Sequence, residues 1–328
     1  LSALDLPEPA DDNKSQLKIN INKFELTDGN AVIAKNASDT SLVRINGVRL
    51  TCKDIAFDSS QKLHFPEQIK VFISTITMLD DEHIRRTKLD SISIDSEEKS
   101  LAIGSFGLTP QHDKAKYAHI SPMHKDWTQM EYSGITMSGV DFPALLASRS
   151  LKADNLHIAG AHIESYKNRN IKRKEWIKPM FSQTLQRLPI EVNIDKVILS
   201  DLYALYEELP EGGKASGKVW FSSVSAEAAG LTNRPDSSQQ KWTLAAKGKF
   251  MGASDIGVTF SIPTDTLSPV FDIRGHLGRT DMKRLNAVAV PVGKVQLDKG
   301  TIDNIVFHMR GDYSAAAIDM TLLYHDLK

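Results

Sequence analysis

The 328 residues are 41% hydrophobic and 25% charged, and 40 Lys and Arg against 41 Asp and Glu leave a formal charge of -1. That length allows a large core or two domains, and the even balance removes the basic surface expected of a nucleic-acid binder. The single cysteine, Cys52, excludes an internal disulfide and a cysteine-rich metal site.

No window approaches the about 20 apolar residues that cross a bilayer as a helix; the nearest is the short stretch from Ala287 to Val292. The chain opens at Leu1 without a start methionine, a charged n-region or an apolar h-region, so whatever preceded Leu1 is expected to have been removed, and any signal peptide or anchoring helix is invisible here. Residues 1–14 are acidic, contain prolines and lack periodicity, which predicts a flexible tether. Residues 15–129 then form an N-terminal β segment, and 130–328 a second one.

Strands are predicted from Leu17 onward, with a turn over Thr27 to Asn30 and polar turns at 35–39 and 58–61. The mixed apolar phase of 65–77 reads as strand. Residues 105–127 hold Gly107, Pro110, Pro122 and three histidines, His112, His119 and His124, with few periodic apolar positions. They read as a long loop of the kind that carries function. Asp141 before Phe142-Pro143 predicts a short helix with an acidic cap. The basic run from Lys167 to Lys174 feeds an amphipathic helix over 175–187, closed by Pro189.

From Leu188 to Glu208 the pattern becomes explicit. Ile190, Val192 and Ile194 alternate with Glu191, Asn193 and Asp195; Asp195-Lys196 interrupts, and Val197 and Leu199 open a second apolar phase. Similar paired runs occur at 43–57, 89–103, 151–166 and 295–309. They predict a degenerate repeat of short strand pairs that accrete into an elongated sheet. Alternation is cleanest from Trp242 to Phe250 and from Ile256 to Ile262. Asp281 to Leu285, capped by Thr280, is expected to be helical, and 295–309 and 318–324 complete the sheet. The predicted fold is mainly β: an elongated, curled, groove-like antiparallel sheet of repeated strand pairs with two or three short helices.

Four segments resemble the AsmA-like superfamily of bacterial envelope proteins, the AsmA/TamB type: LPIEVNIDKVILSDLYALYEE (188–208) after an amphipathic helix, WTLAAKGKF (242–250), DIRGHLGRTDMKRLN (272–286) and the ending from Val295 to Lys328, with Gly311-Asp312 and Tyr324, Asp326 and Leu327. The resemblance covers about residues 130–328. It implies a periplasmic protein held to the inner membrane by an N-terminal helix, whose curled sheet carries lipid tails along a concave apolar face toward the outer membrane. The chain departs from that pattern in lacking the anchor and in being short.

No catalytic or metal signature competes with this reading. His157 and His162, five apart, fall on opposite faces of a regular strand, where exposed histidine is the ordinary reading. Asp80-Asp81-Glu82-His83 lacks the spacing of a calcium loop. No G-x-S-x-G occurs, and Cys52 shares parity with Val48 and Leu50, as a small buried hydrophobe would.

Two sets of residues carry the functional expectation. Trp242, Leu244, Phe250, Ile256, Val258, Phe260, Phe307, Met309, Ile318, Met320 and Leu322 would line the inside of a curled sheet, as a lipid groove if it is open and as plain core if it is closed. Lys167, Arg169, Lys172, Arg173 and Lys174 would meet lipid headgroups or would form a solvated linker. Together with these residues, the resemblance implies a non-catalytic periplasmic protein without cofactor or metal, whose partners are phospholipid or another acyl lipid and the inner membrane. Its work would be lipid binding or transfer in outer-membrane biogenesis or maintenance. The alternative is an assembly factor that pairs with partner proteins through its sheet edges, and an enzyme acting on envelope glycans comes third.

Overall fold

A computed structural model of the chain describes residues 19–34, 43–57, 66, 68–80, 82–120, 126–171, 181–234, 241–263, 270–312 and 314–328. The expected tether at 1–14, the strand start at Leu17, the turns at 35–39 and 58–61 and the first part of the 175–187 helix fall wholly or largely outside these residues. About two-thirds of the chain is strand, in one curled, unclosed sheet.

Fifteen strands follow one another as β1 (Ile19–Ile33), β2 (Val43–Phe57), β3 (Gln68–Leu79), β4 (Arg85–Asp95), β5 (Ser100–Pro110), β6 (Trp127–Ser138), β7 (Ser150–Asn168), β8 (Glu191–Leu209), β9 (Gly217–Thr232), β10 (Lys241–Phe250), β11 (Ser254–Pro263), β12 (Phe271–Leu277), β13 (Thr280–Asp281), β14 (Thr301–Gly311) and β15 (Ala316–His325). Spatial order matches chain order up to β12; β14 then pairs with β12 and β13 on one side and with β15 on the other. Every pairing is antiparallel except β7 with β8, which is parallel. Between those two strands the chain returns through 169–190, which includes helix α3 (Phe181–Gln186).

The strand pairs expected from the sequence are single long strands. β7 and β8 are 19 residues each, and each of β1 to β9 contains a two-residue polar or small break at which the parity of its apolar residues switches. The breaks align: Thr27-Asp28, Asn46-Gly47, Ser74-Thr75, Asp90-Ser91, Gly104-Ser105, Ser133-Gly134, Ala159-Gly160, Ser200-Asp201 and Ser222-Ser223. Six of these strands carry a left-handed residue there, Asp28, Gly47, Ser91, Gly160, Asp201 and Ser223.

In β4 the more enclosed positions are Arg85, Thr87 and Leu89 before the break and Ile92 and Ile94 after it. A parity switch in a flat strand would turn the second run to the other face. A left-handed residue rotates the backbone and returns that run to the first run's face, at the cost of a local bend. The pairing register carries across without an extra residue from β2 to β7, merely skipping the kinked position.

A second crease crosses β7, β8 and β9 at Asp154-Asn155, Asp195-Lys196 and Ala229-Gly230, with Gly230 also left-handed. Its effect is visible in the packing. Ala153 and Ile194, before the break, form one cluster with Leu156 and Val197, three residues further on. Phe142, which opens α2 (Phe142–Ser148), and Val140, just before it, join that cluster. Asp141 caps this helix as expected, accepting a hydrogen bond from the Ala144 N–H at 2.9 Å.

The predicted loop at 105–127 is a second correction. β5 continues to Pro110, and α1 (Lys114–Ile120) follows, with Tyr117 fully buried. Sequence periodicity does not mark the helix, because its about two turns carry only Tyr117, Ala118 and Ile120 as a patterned apolar set. Residues 282–293 form a continuous helical segment. Its first cap is Asp281, not Thr280, through the Lys283 N–H. Val295 to Gly300 is irregular, and β14 starts only at Thr301.

Candidate functional site

The aligned creases let apolar side chains meet across the whole sheet. One ladder of directly opposed residues runs Gly29, Val48, Ile73, Ile92, Ile103, Ile135, Ile158, Leu199, Ala226, Ala246, Val258, Gly275, Phe307 and Met320. A second, two residues away in β2 to β15 and three away in β1, runs from Leu26 and Leu50 through Leu101, Met137, Val197 and Leu244 to Phe260, Met309 and Ile318. At the spacing of neighbouring strands, fourteen strands carry these rows for about 60 Å along the sheet. No position in the two ladders is polar.

All eleven predicted groove residues fall on this face. Trp242 opposes Ile262, Leu244 opposes Phe260, Ile256 opposes Gly248 and Val258 opposes Ala246. Phe307 opposes Met320, Met309 opposes Ile318, and Leu322 opposes Ile305. Phe250 meets Phe221 at a ring separation of 5.7 Å. The rows predicted in β10 to β15 continue into β1 to β9, which sequence parity missed because it breaks at every crease.

Helices cover only the margins of this face. At one set of strand ends α2 packs on Leu101, Met137 and Leu156, and α3 stacks Phe181 on Trp242 at 5.1 Å. At the other, Val288 and Val292 lie over Gly217, where a Cβ would strike Val292. Between these covers the rows run as a trough along the curled, unclosed sheet. They are open at its two edges, where Ile318 and Met320 are 53% and 57% exposed and Phe24 46%, and close-packed at Ile92 and Ala226, 7% and 5% exposed.

A concavity of about 860 Å³ is lined by Glu227, Lys247, Thr259, Arg274 and His276 together with the ladder positions Leu199, Ala226, Ala246, Val258 and Gly275. Val258 is the one predicted groove residue in its lining. The continuity of the apolar rows is the guide to an extended binding face.

Of the predicted headgroup residues, Lys172, Arg173 and Lys174 lie outside the described residues. Arg169 is committed to Glu208, with contacts of 2.9 and 3.3 Å. That pairing raises the pKa of the guanidinium. Burial works to raise the Glu208 carboxyl, but bonds from Tyr206 and Arg169 and the charge of Lys167 outweigh it and leave it below its ordinary value. Lys167 and Arg169 therefore belong to a local charge network at the end of β7.

A neighbouring network braces α1. Lys114 reaches the buried Glu207 at 2.6 Å and sits over the rings of Trp127 and Tyr166. Burial again opposes ionisation of Glu207, and the hydrogen bond and charge of Lys114 overcome it.

His157 and His162 are separated by the crease at Gly160. His157 bonds Ser200 at 2.7 Å, whereas His162 stacks on Tyr203 and bonds Glu164. The crease places both on the outward side, where parity alone predicts opposite sides, yet each ring has its own partners. Among the described residues no three His, Cys, Asp or Glu side chains converge as a metal site. Asp80 caps a turn, accepting from the Ile84 and Arg85 N–H groups and from the Arg85 guanidinium. Cys52 is buried on the trough face, and that burial raises its pKa. No helix among the described residues is long and apolar enough to cross a membrane.

No family model matches the chain, and no curated protein sequence matches it.

Proposed function

We propose that the protein binds acyl lipids along this trough and guides them lengthwise, tails on the ladders and headgroups in water, without catalysis. The observation that carries the reading is the unbroken pair of apolar rows across fourteen strands, covered by helices only toward its margins. Each methylene moved from water onto such a surface gains about 0.8 kcal/mol. Because every rung offers the same chemistry, a chain slides from one to the next without a specific polar bond to break.

The resemblance to AsmA-like proteins points the same way. With it comes the reading of a periplasmic protein at the inner membrane, in the biogenesis or upkeep of the outer membrane.

The test is mass spectrometry of lipids extracted from purified protein, with titration of a fluorescent acyl probe. Ala246→Trp fills the trough at a narrow rung, while Thr259→Trp places the same bulk on the reverse face one strand away. Displacing two methylenes predicts about tenfold weaker binding for Ala246→Trp and unchanged binding for Thr259→Trp. A protein that carries no acyl species and ignores the probe ends the lipid reading.

A further inference from the structure

Lys247, Arg274 and His276 each stand one residue from a ladder position, Ala246 or Gly275. In regular strands that parity sends their side chains to the face opposite the trough. All three are exposed, and all three line the concavity of about 860 Å³. Pairing across the strands sets two of them in one row: Ser225 opposes Lys247, Lys247 opposes Gly257, and Gly257 opposes His276. Gly257 leaves that row open between the two bases, and the His276 ring leans into the opening, where a Cβ on Gly257 would strike its Cε1. Neither Lys247 nor His276 has a hydrogen-bond or ion-pair partner among the described residues. Arg274 touches Asp272 at 3.3 Å, but that carboxylate is shared with His308 at 2.6 Å and Arg310 at 3.5 Å. Glu227, the one acid in the lining, is held by Lys196 at 3.2 Å.

We infer that this concavity binds a phosphate group, with Lys247 and the Arg274 guanidinium on its oxygens and His276 and the Ser225 hydroxyl completing the set of donors. The ligand class follows from the donors. They come from three strands, β9, β10 and β12, and Lys247 and His276 start about 10 Å apart, two strand spacings. A planar carboxylate is matched by one guanidinium fork, whereas donors that approach from three sides suit the oxygens of a tetrahedral anion. Two fixed cations also match the charge of a phosphomonoester, about -1.5 to -2 at neutral pH. The oxygens are the same on a soluble phosphate ester and on a phosphomonoester lipid headgroup. The site lies on the face away from the apolar rows, so the inference goes beyond the lipid reading and holds whatever the trough carries.

Titration of the whole protein with inorganic phosphate, at fixed pH and with chloride holding the ionic strength constant, should move the Cε1–Hε1 NMR signal of His276, assigned by its loss in His276→Gln. The shift should saturate with a dissociation constant of about 1 mM or below. Lys247→Glu should weaken binding at least about tenfold. Lys53→Glu, which makes the same change of net charge on β2, should leave it unaltered. Gly257→Ala, which pushes the His276 ring out of the opening, should weaken binding with an unchanged thermal midpoint, so a poorly folded Lys247→Glu does not decide the matter. Flotation with phosphatidylcholine vesicles, with and without phosphatidate, separates the two sources. Capture only by the phosphatidate vesicles, lost in Lys247→Glu, assigns the site to a lipid headgroup; saturation by phosphate without capture assigns it to a soluble ester. A His276 signal that does not saturate overturns the inference, as does binding indifferent to both Lys247→Glu and Gly257→Ala, or weakened as much by Lys53→Glu.

Discussion

Strands β1 to β9 and strands β10 to β12 solve the same problem in two ways. Both present an apolar side to one trough. In β10, Trp242, Leu244, Ala246, Gly248 and Phe250 do so by plain alternation, and β11 follows suit. In β1 to β9 the alternation resets at each crease, and left-handed residues keep the second run on the side of the first. The lesson is that a long strand can bend sharply and still keep one face apolar, provided each neighbour resets at the same level. The cost is backbone strain, modest for Gly and Asp and larger for Ser91 and Ser223.

The largest test of that difference is Gly160→Val. A β-branched residue at positive φ, with its Cβ against the Ser133 hydroxyl, should cost about 3 kcal/mol in urea unfolding. A loss no greater than that of an ordinary strand substitution would mean that the crease is soft. The brace beside the creased strands comes next. Glu207→Gln removes the charge that Lys114 holds and should cost about 2 kcal/mol.

Acid should act on the same contact. The folded pKa of Glu207 is depressed below its ordinary 4.5, so its contribution is present above that value and is lost as pH falls through the lower folded value. Trp127 emission, read during acidification, should report α1 detaching below about pH 4.5 in the native protein and show no such step in Glu207→Gln.

Smaller effects should carry opposite signs in the two regions. Ser91→Gly relieves a left-handed serine and should stabilise by about 0.5–1 kcal/mol. Ser261→Gly, in the straight β11, should destabilise by a similar amount, about 0.5–1 kcal/mol. Equal signs in thermal melts would erase the distinction. The smallest effect is expected at Gly257→Ala, also in β11, whose new Cβ meets only the tip of the exposed His276 ring. It should stay within about 0.5 kcal/mol.

How much of this was legible follows from which signals are local. Strand against helix is local, since Ile256, Val258, Phe260 and Ile262 alternate in any context, and all eleven predicted groove positions share a face because no crease separates them within a strand. The Asp141 cap is equally local, one side chain against an N–H three residues on. The pair Asp195-Lys196, by contrast, reads as a turn between two strands, although β8 continues through it. A polar doublet at a parity switch has the same local appearance in both cases. Only the matching doublets in β7 and β9 distinguish a crease from a turn, and those lie some forty residues away on either side.

The amino-acid sequence by itself determined that this chain is β, where its regular strands alternate, and which residues there are greasy together, because side-chain parity is a property of the strand alone. Tertiary structure decided that the paired runs are single strands, that their apolar positions join into rows across the sheet, and that α1 docks through Lys114 and Glu207. Each of these depends on what stands beside a residue in the neighbouring strand, and hydrogen-bonded pairing across the sheet, not spacing along the chain, sets that neighbour.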